Sequence, residues 1–184
     1  MDDDRQSREA AFNRLFDAHY RAVRAYAWRR HPDLADDIAA ETFAIVWRDL
    51  ERVPREPLPW LIGIARNVRL NLLRTERRRA EREARDASLE SATVETTSFT
   101  TAVENRSLLH AALERLSERD REVLLLSAWE GLQCAEIARA LGSTRTSAAV
   151  RLHRARRRLS AALSELEAPP TARRLEPRSV SDEC

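Results

Sequence analysis

The sequence predicts an all-α protein of two small helical domains joined by a flexible linker, with a helix-turn-helix in the second domain. Only three glycines occur among the 184 residues, which disfavours Gly-rich phosphate loops and sheets of many hairpins. Alanine, leucine, arginine and glutamate, all good helix formers, dominate the composition. Apolar residues recur every three or four positions in several segments, which is the period of an amphipathic helix. The predicted boundaries are a first domain at 1–85, a linker at 86–107, a second domain at 108–167 and a disordered tail at 168–184.

The first domain begins with two predicted helices. One covers about 9–30, and Pro32 ends it because proline cannot continue a helix. The apolar stripe of this helix contains Phe12, Leu15, Phe16, His19, Tyr20, Val23 and Tyr26, and the histidine is interpreted as a core residue. The second helix covers about 34–50, and Asp33 is predicted to cap it with Asp36 three residues on. Its inward side is predicted to contain Leu34, Ile38, Thr42, Ile45, Val46 and Leu50.

A third helix over about 59–83 completes the first domain. Pro59 suits its first turn, where the missing N–H of proline has no helical partner in any case. The apolar face is predicted to consist of Leu61, Ile64, Ala65, Val68 and Leu72. The helical period is lost over 86–107, where serine and threonine are frequent, and this composition is typical of a flexible linker.

Helical patterning returns at about 108 and continues into a last helix predicted over 144–166. Ser117 is placed to cap a helix, Gly131 to end it and Gly142 to form a tight turn. Residues 133–159 therefore fit a helix-turn-helix. Its shared core is predicted to contain Ile137, Ala138, Leu141, Ala148, Leu152 and Leu159.

The last helix has a polar, basic face. On a helical wheel one side contains the apolar residues Ala148, Leu152, Ala155 and Leu159. The opposite side is predicted to contain Ser147, Arg151, Arg154 and Arg158. Arginine makes phosphate contacts and bidentate contacts with guanine, so the pattern favours insertion into the DNA major groove. The alternative is a basic amphipathic helix in a bundle, or one that binds an acidic protein. The absence of acidic residues between Glu136 and Glu165 favours DNA.

The net charge of +2 conceals two basic segments. Residues 66–85 contain eight arginines against three glutamates, and residues 145–158 contain six arginines and no acidic residue. Two separate basic patches indicate a polyanionic partner. Solvated helix faces are the alternative explanation.

The second helix is acidic by contrast. Asp33, Asp37 and Glu41 recur every four residues beside Asp36, and so form a ridge along one face. The helix dipole favours carboxylates in a first turn, but this does not explain Glu41, which lies further along the helix. Aligned like charges are slightly destabilising, so we hypothesise a basic protein partner.

The third helix offers groups that bind nucleic acid. Three arginines, Arg66, Arg69 and Arg77, are predicted across from its apolar stripe, and the edge of the stripe is predicted to contain Asn67, Asn71, Arg74 and Arg78. Asparagine amides both donate and accept hydrogen bonds, and can read a base edge. Trp60 is either a core residue or a platform on which an unpaired base stacks.

Three stretches together resemble the extracytoplasmic-function sigma factors, the smallest members of the main bacterial sigma family. They are DLADDIAAETFAIVWRDL, PWLIGIARNVRLNLLRTERRR and LERLSERDREVLLLSAWEGLQCAEIARALGSTRTSAAVRLHRARRRL. They span most of both predicted domains and follow the order of the family. The resemblance implies a factor that binds core RNA polymerase and directs promoter-specific initiation of transcription.

The resemblance also implies a role for each surface. The acidic helix would dock on the β′ clamp coiled coil through Asp36, Asp37, Glu41 and Thr42, with Phe43 and Trp47 in support. The third helix would bind and open the minus-ten element through Trp60, Arg66, Asn67, Arg69, Asn71, Arg74, Arg77 and Arg78. Among these residues, the Asn67 side chain would lie near a flipped non-template base. The last helix would read the minus-thirty-five element through Arg145, Thr146, Ser147, Ala149, Val150, Arg151, His153, Arg154 and Arg158, with Arg151 and Arg158 on phosphates. The implied partners are core RNA polymerase, including its β flap, duplex promoter DNA, the melted non-template strand and, as is common in the family, an anti-sigma factor.

One departure from the family concerns the last helix. Many relatives carry a basic or polar pair where this chain has Ala149 and Val150, so base readout is expected to depend on Arg145, His153 and Arg154, or on contact with a thymine methyl group.

Other classes of function are disfavoured. The four histidines are scattered without metal-ligand spacing, and no serine or cysteine has a nucleophile-elbow setting, so we expect neither an enzyme nor a metal or other cofactor. Two cysteines are too few for a disulfide scaffold. The sequence shows no membrane-spanning run and no secretory signal, which predicts a cytoplasmic protein. The alternative function is a helix-turn-helix regulator that binds DNA without the polymerase.

Overall fold

The computed structural model describes residues 2–86 and 103–167, and all regular structure within those ranges is helical. This confirms the predicted all-α fold. The helices are α1 (Asp2–Trp28), α2 (Ala35–Arg48), α3 (Pro57–Asp86), α4 (Val103–Glu114), α5 (Glu118–Ala128), α6 (Cys134–Leu141) and α7 (Arg145–Glu167). We refer to α1–α3 as the N-terminal helices and to α4–α7 as the C-terminal helices. None of the helices in these two ranges is long and apolar enough to cross a membrane.

The N-terminal helices pack around a common apolar core. Its fully buried residues come from all three helices and include Val23, Tyr26, Ile38, Val46, Leu61 and Ala65. Beside this core, aromatic rings of α1 pack against Phe43 of α2, with centroids 4.8 Å from Phe16 and 6.0 Å from Tyr20. His19 is half-buried on the same helix, and partial burial lowers the pKa of its imidazole.

The predicted cap of α2 is wrong. Pro32–Leu34 form a short 3₁₀ turn that leads directly into α2, so Leu34 takes the capping position and the Asp33 side chain makes no capping hydrogen bond. Asp36, the expected partner in the cap, instead accepts a hydrogen bond from Arg24 of α1, with 2.6 Å between Nε and Oδ1. A tertiary contact has therefore replaced the local one.

The C-terminal helices form the predicted helix-turn-helix. Ser117 caps α5, where its hydroxyl oxygen accepts a hydrogen bond from the backbone N–H of Asp120 at 3.2 Å. Between α6 and α7, Gly142 adopts φ 60°, a left-handed conformation that suits glycine because it has no Cβ. The shared core of the two helices includes Ile137, Ala148 and Leu152, all buried.

The connecting and terminal segments are described only in part. Helix α4 begins at Val103, inside the range predicted as linker, and α3 extends to Asp86. The remainder of the predicted linker, 87–102, and the predicted tail, 168–184, lie outside the described residues. The exact domain boundaries therefore stay a prediction.

Candidate functional site

A cleft of about 590 Å³ separates the exposed sides of α2 and α3. It is lined by Asp37, Ala40, Glu41, Ala44 and Ile45 of α2 and by Val68, Asn71, Leu72 and Thr75 of α3. Alanine, valine, leucine and isoleucine form an apolar floor, and two carboxylates stand on its α2 rim. An apolar floor beside an acidic rim is suited to the side of a basic amphipathic helix.

The acidic ridge is not uniformly available to a partner. Asp36 is paired with Arg24, and the hydrogen bond from that guanidinium lowers the pKa of its carboxyl group. Glu41 lies 3.5 Å from Arg48 at a well-exposed position. Asp37 is exposed and takes part in none of the ion pairs between residues that the structure describes. Asp37 and Glu41, which line the cleft, are therefore the carboxylates best placed for a basic partner.

Of the residues predicted for polymerase binding, the contact residue Thr42 and the supporting residue Phe43 are buried. The Thr42 hydroxyl is fully buried and donates to the carbonyl oxygen of Ile38 at 2.6 Å, and Phe43 is 3% exposed. Trp47 is 36% exposed, its ring lies 5.2 Å from that of Phe12, and the Arg8 guanidinium lies over it. Thr42 and Phe43 therefore support the helix from below, whereas Trp47 reaches the surface.

Most of the predicted minus-ten residues share one exposed side of α3. Asn67, Asn71, Arg74, Arg77 and Arg78 are all exposed. Within this group Arg74 donates to the side-chain oxygen of Asn71 at 3.0 Å, which fixes the amide orientation. Their clustering gives α3 a polar and cationic edge that can follow a nucleic-acid strand.

Three other predicted minus-ten residues do not lie on that edge. Trp60 is half-buried and packs against the hydrophobic core, in agreement with its interpretation as a core residue. Arg66 is half-buried. Arg69, predicted to face away from the apolar stripe, is 6% exposed and points towards α5, with 3.7 Å between its guanidinium and Glu122. Sequence reasoning missed this burial because the carboxylates that receive Arg69 lie about fifty positions away in the chain.

The faces of α7 differ from the prediction. The residues predicted to face away from the core, Ser147, Arg151, Arg154 and Arg158, lie about a quarter-turn from the buried Ala148, Leu152 and Ala155, at 100° per residue. They border a cleft of about 460 Å³ shared with Ser117, Arg119 and Asp120 at the start of α5. Arg158 pairs there with the buried carboxylate of Asp120. One of the predicted phosphate contacts is therefore already engaged within the protein.

The stripe directly opposite the core of α7 contains a residue that the sequence reasoning missed. This stripe consists of Thr146, Val150, His153 and Arg157, which follow one another at intervals of four, three and four residues and are all exposed. Val150 is 44% exposed, whereas Ala149 is partly buried. Arg157 was not among the residues predicted for DNA binding, although it lies opposite the buried side of α7.

Two family models match the chain, one in each of its helical halves. Residues 15–79 match the model of Sigma-70 region 2, and residues 106–159 match that of Sigma-70 region 4. The ECF RNA polymerase sigma factor SigL of Mycobacterium tuberculosis is 34% identical over 167 residues, which cover 86% of this chain and 92% of SigL. The chain belongs to the extracytoplasmic-function sigma factors.

Other relatives of this sigma factor agree with the assignment. The RNA polymerase sigma factor CarQ of Myxococcus xanthus is 32% identical over 169 residues, 89% of this chain and 95% of CarQ. CnrH, solved in complex with the cytosolic domain of CnrY, aligns with a TM-score of 0.56 at 25% identity, over 87% of this chain and 91% of CnrH. RpoE of Bartonella quintana, solved with the anti-sigma factor NepR, shares the fold with a TM-score of 0.60 at 23% identity, over 85% of this chain and 98% of RpoE.

Proposed function

We propose that this sigma factor binds core RNA polymerase through the cleft between α2 and α3 and reads its promoter with α3 and α7. The protein is a transcription initiation factor whose partners are core RNA polymerase and promoter DNA. We place its action in the cytoplasm, where the polymerase and the promoter are found.

The acidic-rimmed cleft between α2 and α3 is the observation that supports polymerase binding at this site. Asp37 and Glu41 stand on one side of an apolar floor, and Asn71 of the DNA-binding edge lies on the other side. A basic helix of the polymerase seated in this cleft would lie next to the strand of DNA that α3 holds. One site therefore couples polymerase binding to capture of the minus-ten element.

The promoter assignment depends on two cationic surfaces. The edge of α3 offers asparagines and arginines to an unpaired strand, and α7 offers Val150, His153, Arg154 and Arg157 to a major groove. In this mechanism the sigma factor carries out no covalent step. It supplies base and phosphate contacts, and the polymerase supplies the chemistry.

A direct binding assay tests the cleft. Core RNA polymerase is immobilised and titrated with the intact chain and with the Asp37→Arg/Glu41→Arg variant, and we expect the variant to bind at least about tenfold more weakly because two favourable charge contacts become repulsive. The matched control is Glu114→Arg/Glu165→Arg, which makes the same change in net charge at exposed positions of the C-terminal helices. Equal affinity of the two variants would contradict the proposed site.

A further inference from the structure

The start of α5 places a buried carboxylate beside the DNA-binding helix α7. The Asp120 side chain is 7% exposed, and its one hydrogen bond among the described residues is with Arg158 of α7, whose Nη1 donates to Asp120 Oδ2. Ser117 fixes this turn, because its hydroxyl oxygen accepts from the Asp120 backbone N–H at 3.2 Å. The fold therefore holds the carboxylate in place, and the carboxylate holds the end of a long side chain on another helix.

The ion pair uses only part of the Arg158 guanidinium. Arginine has five N–H donors in a planar fork. Within the part of the chain that the structure describes, Nε and Nη2 of Arg158 donate to no protein group, and the side chain is 62% exposed. One nitrogen is thus anchored on Asp120, while the other two remain available to the two oxygens of a phosphate in bidentate geometry.

The position of Arg158 on α7 suits a phosphate of the DNA backbone. At 100° per residue, it lies about 100° round the helix from Arg157 of the exposed stripe, on the same flank as Arg151 and Arg154. This flank borders the open cleft of about 460 Å³ between α5 and α7. The opposite flank contains Arg156, whose guanidinium already donates to a hydroxyl group of α5. When the stripe enters a major groove, Arg158 therefore lies beside the groove, where the phosphates are.

Anchoring matters because the arginine side chain is flexible. An unanchored arginine loses rotamer freedom when it contacts a phosphate, and this loss weakens binding by roughly two- to tenfold for each side chain. Arg151, on the same flank, takes part in none of the ion pairs between described residues, so it bears this loss on binding DNA. Arg158 bears less of it, because the buried carboxylate orders its side chain before DNA binds.

We propose that Asp120 is a positioning residue for recognition of the minus-thirty-five element. It holds Arg158 at the mouth of the cleft, so that Nε and Nη2 of the guanidinium bind one phosphodiester of the DNA. The proposal rests on the proposed function, because it requires α7 to enter the major groove. Asp120 also repels phosphate, so removing it alone has no fixed effect on affinity. The coupling between the two residues has a definite sign: if Asp120 positions Arg158, then Arg158→Ala weakens DNA binding less when Asp120 is absent.

The test is a double-mutant cycle on the full chain, with Asp120→Ala, Arg158→Ala and the variant that combines them. Affinity for a labelled duplex that contains the minus-thirty-five element is measured by fluorescence anisotropy at several salt concentrations. We expect the weakening by Arg158→Ala to be at least about threefold greater in the wild-type background than in the Asp120→Ala background. In the wild-type background Arg158→Ala should also lower the salt slope by about 0.9.

A control cycle uses another ion pair of α7. Arg115 of α4 and Glu165 of α7 lie 3.1 Å apart at exposed positions outside the cleft. Arg115→Ala and Glu165→Ala also remove a contact that ties α7 to a neighbouring helix, but neither residue lies on the flank that faces the phosphate. We therefore expect no coupling between them in DNA affinity.

Two further measurements cover the case in which Asp120→Ala does not fold. Arg158→Lys leaves α5 intact, but an ammonium group cannot span a carboxylate and a phosphate as a planar guanidinium does. We expect Arg158→Lys to bind the duplex at least about threefold more weakly, and Arg151→Lys, on the same flank, to stay within about twofold of the wild type. In the free wild-type chain, nitrogen-15 relaxation should show a more ordered Nε–H group in Arg158 than in Arg151.

The possible results separate the positioning role from the proposed function. Absent coupling, or coupling of the opposite sign, overturns the positioning role, and so does equal affinity of the two lysine variants. If Arg151→Ala and Arg158→Ala both leave DNA affinity unchanged, α7 does not bind DNA on this flank, and the proposed reading of the promoter by α7 fails together with the positioning role. An Arg158 side chain as mobile as that of Arg151 overturns the anchoring by Asp120 without reference to DNA.

Discussion

The exposed stripe of α7 opposite its buried side is predicted to face DNA, and this prediction can be tested quantitatively. Arg157 lies on this stripe, whereas Arg156 lies nearer the core and donates to the Ser127 hydroxyl at 3.4 Å. Substituting either one by alanine changes the net charge equally. Only Arg157→Ala is expected to remove a phosphate contact, because only that side of the helix can enter the groove.

The expected size of the Arg157→Ala effect follows from the counterions that are released when the protein binds DNA. One phosphate contact contributes about 0.9 to the slope of log affinity against log salt concentration. Raising the salt concentration fourfold, from 50 to 200 mM, therefore weakens each contact by about 3.5-fold. The Arg157→Ala variant should show a slope lower by about 0.9, and its deficit relative to the wild type should be about 3.5-fold greater at the lower salt concentration.

The assay is fluorescence anisotropy of a labelled duplex that carries the minus-thirty-five element, titrated with the intact chain at several salt concentrations. The Arg156→Ala variant should keep the slope of the wild type. Equal loss of slope in the two variants, or a greater loss with Arg156→Ala, would refute the assignment of the DNA-facing side of α7.

Three further predictions concern stability and binding. Tyr26→Phe removes the buried hydrogen bond to Glu122 and should lower the free energy of unfolding by about 1.5–3 kcal/mol, measured in urea; a loss below about 0.5 kcal/mol would contradict the contact. Burial, followed by the charge of Arg69, lowers the pKa of the His31 imidazole. As the pH falls below about 6.5, His31 therefore takes up a proton in the unfolded chain before it does so in the folded protein. The free energy of unfolding should therefore be lower at pH 5.5 than at pH 7.5, and His31→Asn should reduce this difference. An identical pH dependence in the variant would contradict the assignment of this effect to His31. Thr42→Val should lower stability by about 1 kcal/mol yet leave polymerase affinity within twofold, because the hydroxyl is buried; a tenfold weaker complex would restore Thr42 as a contact residue.

The sequence was sufficient to predict the fold because the decisive signals are local. Apolar residues at spacings of three and four locate the long helices, Ser117 marks the start of α5, and Gly142 has the conformational freedom that the turn requires. The start of α6 carries a further signal of this local kind. Gln133 and Glu136 form a reciprocal capping box, with 2.7 Å between the Gln133 backbone nitrogen and the Glu136 carboxylate.

The site was less predictable than the fold, because three of its contacts join residues that are distant in the chain. Asp36 was expected to help cap α2, but Arg24 of another helix takes its carboxylate. Arg69 was expected on the surface, but carboxylates of α5 bury it. Arg158 was expected to be free for phosphate, but Asp120 pairs with it. A helical wheel separates the faces of one helix, yet it cannot show which face a distant segment of the chain covers.

Run-off transcription tests the central claim most directly. Core RNA polymerase is supplied with a library of genomic promoter fragments, with and without the chain. We expect distinct start sites that appear only with the chain and disappear with Asp37→Arg/Glu41→Arg, and the shared upstream sequences should define two promoter elements. A chain that shifts DNA by itself, yet neither binds the core enzyme nor creates any start site, would contradict the sigma-factor account and leave a DNA-binding regulator in its place.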